Sequence, residues 1–323
     1  MSDPYVRADV RGFLDFLNAI PGPRMHELEP AAARGQYLAM KDVADLPVGI
    51  LGTIEDIIIP GPAGDIPARV FDPRERREPG TAMVFFHGGG FVIGDIDTHA
   101  SLCAEVARVL DLPVISIDYR LAPEHRWPAA PDDCEAAARW VASSPAALGR
   151  AVTGLVLAGD SAGGNLAIVT ALALRDAPAA VPVIAQFPIY PVVDSSGSYP
   201  SFEAFGDGYL LTKDSMAWFN DAYRADLEHQ RASPLLADLY GLPPAVVLTA
   251  SLDPLRDQGR AYAAALISAG VATVYREAAG NIHGFATIRK AIPSSAGDLA
   301  GALAALRSVL HEAQGQAVMA QAA

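Results

Sequence analysis

Gly159-Asp160-Ser161-Ala162-Gly163 sits between an apolar run at 155–158 and a helical pattern at 162–174. A serine held between small residues at a strand-to-helix turn has its hydroxyl above the sheet, at the positive end of the helix, where it can act as a nucleophile. The bare pattern also fits a serine that caps a helix, so the reading depends on partners elsewhere. One partner is His87-Gly88-Gly89-Gly90, some seventy residues upstream and just after the apolar run 83–86. Three glycines leave backbone N–H groups free to face a developing oxyanion, and losing one such donor typically costs about 10²–10³ in rate. The expected donors are the amides of Gly88, Gly89 and Ala162. A phosphate cradle would use a similar loop, but no Lys-Ser/Thr follows and the G-x-G-x-x-G spacing is missing. His87 reads as a brace for the loop, with a catalytic role as the alternative.

A nucleophilic serine needs a base and an acid that orients it, in the chain order Ser, Asp/Glu, His. Of seven histidines, His283 lies in Asn281-Ile282-His283-Gly284-Phe285, just past a late strand-like run, whereas His311 falls in a terminal helical pattern. The acid must follow the preceding strand. Asp253 is nearest the strand end in Ser251-Leu252-Asp253-Pro254, although Pro254 behind it also suits a helix cap. Asp257, a turn further on, is the competing candidate.

These residues need a scaffold. Continuous apolar runs at 82–86, 113–117, 155–158, 183–187, 245–249 and 272–275 suit strands buried on both faces of a mostly parallel sheet. Helical patterns at about 99–110, 130–142, 162–174, 255–268 and 296–312 alternate with them. Upstream, residues 54–59 and 68–71 read as an antiparallel hairpin, and the first 45 residues are largely helical. Roughly sixty residues separate the run at 183–187 from that at 245–249, too long for a crossover and too aromatic for a disordered loop. They read as an insertion over the top of the sheet. The Ala/Gln-rich tail after His311 is expected to fray.

Composition excludes several classes. The 323 residues are 51% hydrophobic and 19% charged, with a net charge of −13, so a large core is expected and a nucleic-acid partner is not. The sequence has no 18-residue apolar run, no signal-peptide pattern at its start and no metal-ligand spacing. Cys103 and Cys134 read as buried thiols, so a cytoplasmic location is expected.

Together these motifs resemble the hormone-sensitive-lipase-like esterases. The resemblance runs from about Thr81 to the C-terminus. It rests on His87-Gly88-Gly89-Gly90, Gly159-Asp160-Ser161-Ala162-Gly163-Gly164, Asp253-Pro254-Leu255 and His283-Gly284-Phe285, with Tyr119 to His125 and Trp127 to Ala130 in support. It implies an α/β-hydrolase fold, with residues 1–45 contributing to a helical cap over a catalytic domain at 46–323 whose cap insertion spans about 190–240. It also implies hydrolysis of short-chain esters with no cofactor. Amide hydrolysis remains a rival. Related gibberellin receptors lack the catalytic histidine, which is present here as His283. The run at 272–275 should approach a sheet edge, and with the family habit this suggests a homodimer. Phe91, Tyr190, Phe205, Tyr209, Leu210, Ile282 and Phe285 are the candidate walls of a closed substrate pocket suited to acyl chains of about four to six carbons, since burial ceases once the pocket is full.

Overall fold

The computed structural model describes residues 4–322. The chain begins with helices α1 (Ala8–Ala19) and α2 (Pro30–Ala44), then the hairpin strands β1 (Thr53–Gly61) and β2 (Gly64–Asp72). There follow β3 (Gly80–Phe86), α3 (Ile96–Leu110), β4 (Val114–Ile117), α4 (Ala129–Ala142), β5 (Val152–Asp160), α5 (Ala162–Asp176) and β6 (Val183–Ile189). The insertion carries α6 (Pro200–Phe205) and α7 (Lys213–Tyr223), and the chain closes with β7 (Ala245–Leu252), α8 (Arg256–Ser268), β8 (Thr273–Ile282) and α9 (Ser295–Ala322).

The eight strands form one sheet in the order β1-β2-β4-β3-β5-β6-β7-β8. Only β2 runs against the rest: it is antiparallel to β1 and β4, and every other neighbouring pair is parallel. Alternate residues of each central strand face opposite layers. Val84, Phe86, Leu155 and Leu157 pack with α4, α5 and α8, while Met83, Phe85, Val156 and Ala158 pack with α3 and α9. Burial on both faces is why these strands read as continuous apolar runs.

Three elements differ from expectation. β8 continues to Ile282, because an edge strand alternates exposed residues such as Arg276 with half-buried ones such as Glu277 and loses the apolar signature. α3 starts at Ile96, where the Asp95 side chain accepts the Thr98 N–H at 2.7 Å and Thr98 Oγ1 accepts the Asp95 N–H at 2.9 Å. α9 continues as helix through the tail where fraying is expected.

A third apolar cluster lies apart from the sheet layers. It joins Val10, Phe13 and Leu14 of α1, Phe205 of α6, Leu252, Ile282, Ile288 and Ile292. The N-terminal helices and the insertion therefore converge on the loops that follow β7 and β8. A buried ion pair fixes one such contact: Arg289 binds Asp45, just after α2, through two hydrogen bonds of 3.0 and 2.9 Å. Among the described residues no helix is long and apolar enough to cross a membrane. Both cysteines are unpaired and buried in different layers.

Candidate active site

Ser161 terminates β5 with φ 55° and ψ −116°, a conformation that costs a non-glycine residue about 1–3 kcal/mol. The surroundings fix it: its N–H donates to Ile189 O at 2.8 Å, and its carbonyl accepts from Asn165 N and Val192 N. The turn is this tight only because its flanks are glycine. A Cβ on Gly163 would lie 1.9 Å from Phe86 O, and one on Gly159 would lie 2.3 Å from Gly163 O.

Three sequence candidates meet here. His283 Nε2 is 2.9 Å from Ser161 Oγ, and His283 Nδ1 is 2.7 Å from Asp253 Oδ2. A carboxylate can only accept, so Nδ1 carries the proton and Nε2 keeps a lone pair for the serine hydroxyl. Asp253 is fully buried, and its other oxygen accepts the Leu255 N–H at 2.8 Å. The carboxylate thus holds the imidazole and closes a turn on Leu255, but it is not the helix cap read as its alternative, since Leu255 is the N-cap of α8. The Tyr190 ring packs on the imidazole at 4.7 Å. Asp257 does not join the group. It accepts from Ser201 N, Arg256 and Arg260, anchoring α6 to α8.

The oxyanion loop requires one correction. The Gly88 N–H donates to Asp160 Oδ1 at 2.8 Å, so it is committed to a protein acceptor and is not available to a substrate. The amides of Gly89 and Gly90 have no acceptor among the described residues. Ala162 opens α5, where an amide has no partner within the helix. The free set is Gly89, Gly90 and Ala162. Gly90 has φ 59°, and a Cβ there would lie 2.3 Å from the Phe219 ring of α7, which closes over the loop. His87 is the brace expected. Its Nδ1–H donates to Gly88 O at 2.8 Å, Tyr119 Oη donates to His87 O at 2.7 Å, and the two rings stack at 4.3 Å. Burial, then the charge of His99, pushes its pKa down to about 4, so it is neutral.

The pocket candidates divide. Ile282 and Phe285 are fully buried and Tyr190 nearly so, and they pack in the apolar clusters. Phe205 is likewise core, edge-on to Tyr209 at 5.3 Å with the Arg256 guanidinium 5.0 Å over its ring. Phe91 lies flat on Tyr223 at 4.0 Å. Tyr209 and Leu210 stay partly exposed, and Leu210 reaches to 3.8 Å from where a Gly284 Cβ would be. Phe219 and Gly90 were missing from the candidates. Three glycines in a row leave open which amides stay free, and the Asp160 bond to Gly88 is what separates them.

The family model for the alpha/beta hydrolase fold matches residues 83–287. The chain belongs to the hormone-sensitive-lipase-like family of α/β-hydrolase esterases. It is 42% identical over 267 residues to the carboxylic ester hydrolase LipN of Mycobacterium tuberculosis, an alignment covering 80% of this chain and 70% of that one. It is 38% identical to the ethyl acetate hydrolase of Pseudomonas putida, covering 81% and 84% of the two chains. Among solved structures, the ester-hydrolase EH1AB1 from the metagenome of Lake Arreo, in complex with a bipyridine phosphonate derivative, superposes with a TM-score of 0.88 at 39% identity, covering 95% of this chain and 99% of that one.

Proposed function

We propose that this esterase cleaves short-chain acyl esters through a covalent acyl-enzyme, with Ser161 as nucleophile, His283 as general base and acid, and Asp253 orienting the imidazole. The observation that carries the reading is the unbroken hydrogen-bond chain from Asp253 through His283 to Ser161 Oγ, 2.7 and 2.9 Å long. His283 Nε2 takes the Ser161 proton as Oγ bonds to the ester carbonyl carbon, and the amides of Gly89, Gly90 and Ala162 receive the oxyanion. The carbon–oxygen bond to the alcohol then breaks, and the alcohol leaves with the proton from His283. A water attacks the acyl-enzyme, gives its proton to His283, and the acid departs as Ser161 is reprotonated. Each step uses groups of the chain and water alone, so no cofactor is invoked.

The short-chain preference is supported by Phe219 over the oxyanion loop and by Leu210 beside the His283 loop. A relative named as an ethyl acetate hydrolase points the same way, since its named substrate carries a two-carbon acyl group. We also propose a cap formed by the N-terminal helices and the insertion, a cytoplasmic location, in keeping with two unpaired thiols, and a two-fold dimer paired through the free edge of β8.

The test compares p-nitrophenyl butyrate with butyryl p-nitroanilide, followed by mass spectrometry after an alkyl phosphonate. Ester turnover well above amide turnover and a single adduct on Ser161 are expected. An adduct elsewhere, or an amide cleaved as fast as the ester, overturns the assignment.

A further inference from the structure

Asp160, next to the nucleophile, is 3% exposed, and nothing in the mechanism above uses it. Its Oδ1 accepts the Gly88 N–H at 2.8 Å and lies 3.1 Å from His99 Nε2, which is itself 3.3 Å from the Gly88 nitrogen, while Oδ2 lies 3.4 Å from Tyr190 Oη. His99 is fully buried in the first turn of α3. Its other nitrogen, Nδ1, is 2.9 Å from Thr98 Oγ1.

That hydroxyl settles one nitrogen of the imidazole. Thr98 Oγ1 accepts the Asp95 N–H at 2.9 Å and lies 2.8 Å from Asp95 O, a group that can only accept. The single hydroxyl proton goes to Asp95 O, so Nδ1 must donate to Thr98 Oγ1. The Gly88 N–H lies 2.8 Å from Asp160 Oδ1 against 3.3 Å from Nε2, so the carboxylate takes that donor. Nε2, itself 3.1 Å from the carboxylate, faces it as a second donor; with both ring nitrogens protonated, His99 is an imidazolium.

We infer that His99 is a positioning residue of the esterase: paired with Asp160, it anchors the oxyanion loop through Gly88 and cancels the carboxylate charge behind the nucleophile. The inference rests on the reading of Gly89 and Gly90 as oxyanion donors. Holding Gly88 by its amide sets the course of the two glycines that follow. A lone carboxylate beside Ser161 would oppose the negative charge that develops on the substrate oxygen, in a site too dry to screen it. His99 removes that opposition while using both its nitrogens, so it has no free lone pair with which to compete as a base.

The charged and titratable groups around His99 agree with this assignment. Burial disfavours its charge, but Asp160 of β5 and Asp95 ahead of α3 outweigh burial, and its pKa is raised. Burial likewise works against the Asp160 carboxylate, yet His99, the Gly88 amide and His283 hold its pKa below the ordinary value. His87, at the end of β3 with its ring 5.5 Å away, is the neutral partner of the two imidazoles. Tyr37 of α2, 6.3 Å away, and Tyr190 are pushed upward by burial and stay protonated.

The experiment measures kcat and KM on p-nitrophenyl butyrate per phosphonate-titrated site. His99→Gln keeps a donor toward Asp160 and removes the cation. The expected result is a fall in kcat of about 10- to 100-fold with KM within about two-fold, and an equal fall in the phosphonylation rate, because both reactions place charge in the same hole. Adding Asp160→Asn to His99→Gln removes the stranded carboxylate and should recover at least about five-fold in kcat. A purely structural role would lower stability and the fraction of titratable sites without these changes. Should His99→Gln not fold, Thr98→Val removes the acceptor of Nδ1 together with the hydroxyl's two bonds to Asp95, leaves the imidazole in place, and should lower kcat by a few-fold with KM unchanged. Wild-type kcat in the folded variants, or a double variant no faster than His99→Gln, overturns the inference. The parent reading fails separately, if the wild type takes no phosphonate on Ser161.

Discussion

Two histidine–aspartate pairs lie on either side of Ser161, chemically alike and differently enclosed. His283 and Asp253 sit on loops after β8 and β7, and the imidazole leaves Nε2 facing the serine hydroxyl at the cleft. His99 and Asp160 are sealed beneath the oxyanion loop, with every position of the imidazole bound within the protein. The difference is one of unfinished valence. A pair with one lone pair left facing a hydroxyl can move protons, and a pair with none left can only hold things in place.

The largest effect that separates the pairs is expected from their acids. Asp253→Asn should lower kcat about 10⁴-fold with the fold intact, because an amide that donates to Nδ1 forces the wrong tautomer. Asp257→Asn should cost no more than a few-fold, since its carboxylate meets Arg256, Arg260 and Ser201 and never the imidazole. Steady-state kinetics on the purified variants decide it. The reverse ranking would move the orienting role to Asp257.

The next effect probes the reassigned donor. Gly90→Ala puts a methyl group 2.3 Å from the Phe219 ring at a backbone φ of 59° and should cost about 10²–10³ in kcat. Adding Phe219→Ala removes the clash and should return a measurable part of that loss. A fully active Gly90→Ala would put the oxyanion elsewhere.

Much of this site is readable from the chain. Ser161, Asp253 and His283 each follow an apolar strand run, so order and position select them from many serines, aspartates and seven histidines. The sheet is readable where strands are buried on both faces, and fades at β8, where one edge is polar. The Gly88 amide is expected to be free and is not, because a carboxylate 72 positions downstream takes it. The aromatic side chains are hard to place for a related reason. Ile282, Phe285 and Tyr190 lie near His283 in sequence or space, but only packing decides whether a large apolar side chain faces a cleft or a core.

The buried histidines also respond to acid with opposite sign. His99, with a raised pKa, contributes stability that is fully present below the unfolded value of about 6.5 and is lost as pH rises through its folded value. His87, lowered to about 4, refuses a proton that the unfolded chain accepts, so stability falls as pH drops below about 6.5. From pH 7 to 4.5 that loss comes to about 2 kcal/mol. His87→Asn keeps a donor toward Gly88 O without a basic nitrogen. Its unfolding free energy in urea should change about 2 kcal/mol less over that interval than the wild type's. An equal change in both proteins would mean that His87 is charged in the fold.

The smallest effect concerns acyl length, where Leu210 and Phe205 part company. Leu210 is partly exposed beside the His283 loop, with φ 75°, while Phe205 is 7% exposed and packed against Tyr209 and Arg256. An acyl chain gains about 0.8 kcal/mol for each CH₂ it buries and nothing once the wall is reached. kcat/KM on p-nitrophenyl esters should therefore peak at about four to six carbons and fall steeply by about ten. Leu210→Ala moves the wall back and should shift the optimum by about two carbons, changing the ratio of hexanoate to butyrate by about four-fold per methylene newly buried. Phe205→Ala instead opens a void in the core. It should lower stability by about 3–5 kcal/mol and leave the chain-length profile unchanged. If Phe205→Ala shifts the profile and Leu210→Ala does not, the boundary between cleft and core lies one turn deeper in the insertion. A wild-type enzyme that prefers acyl chains of twelve carbons or more would mean that no closed wall stands there, because only an open groove keeps burying methylenes at that length.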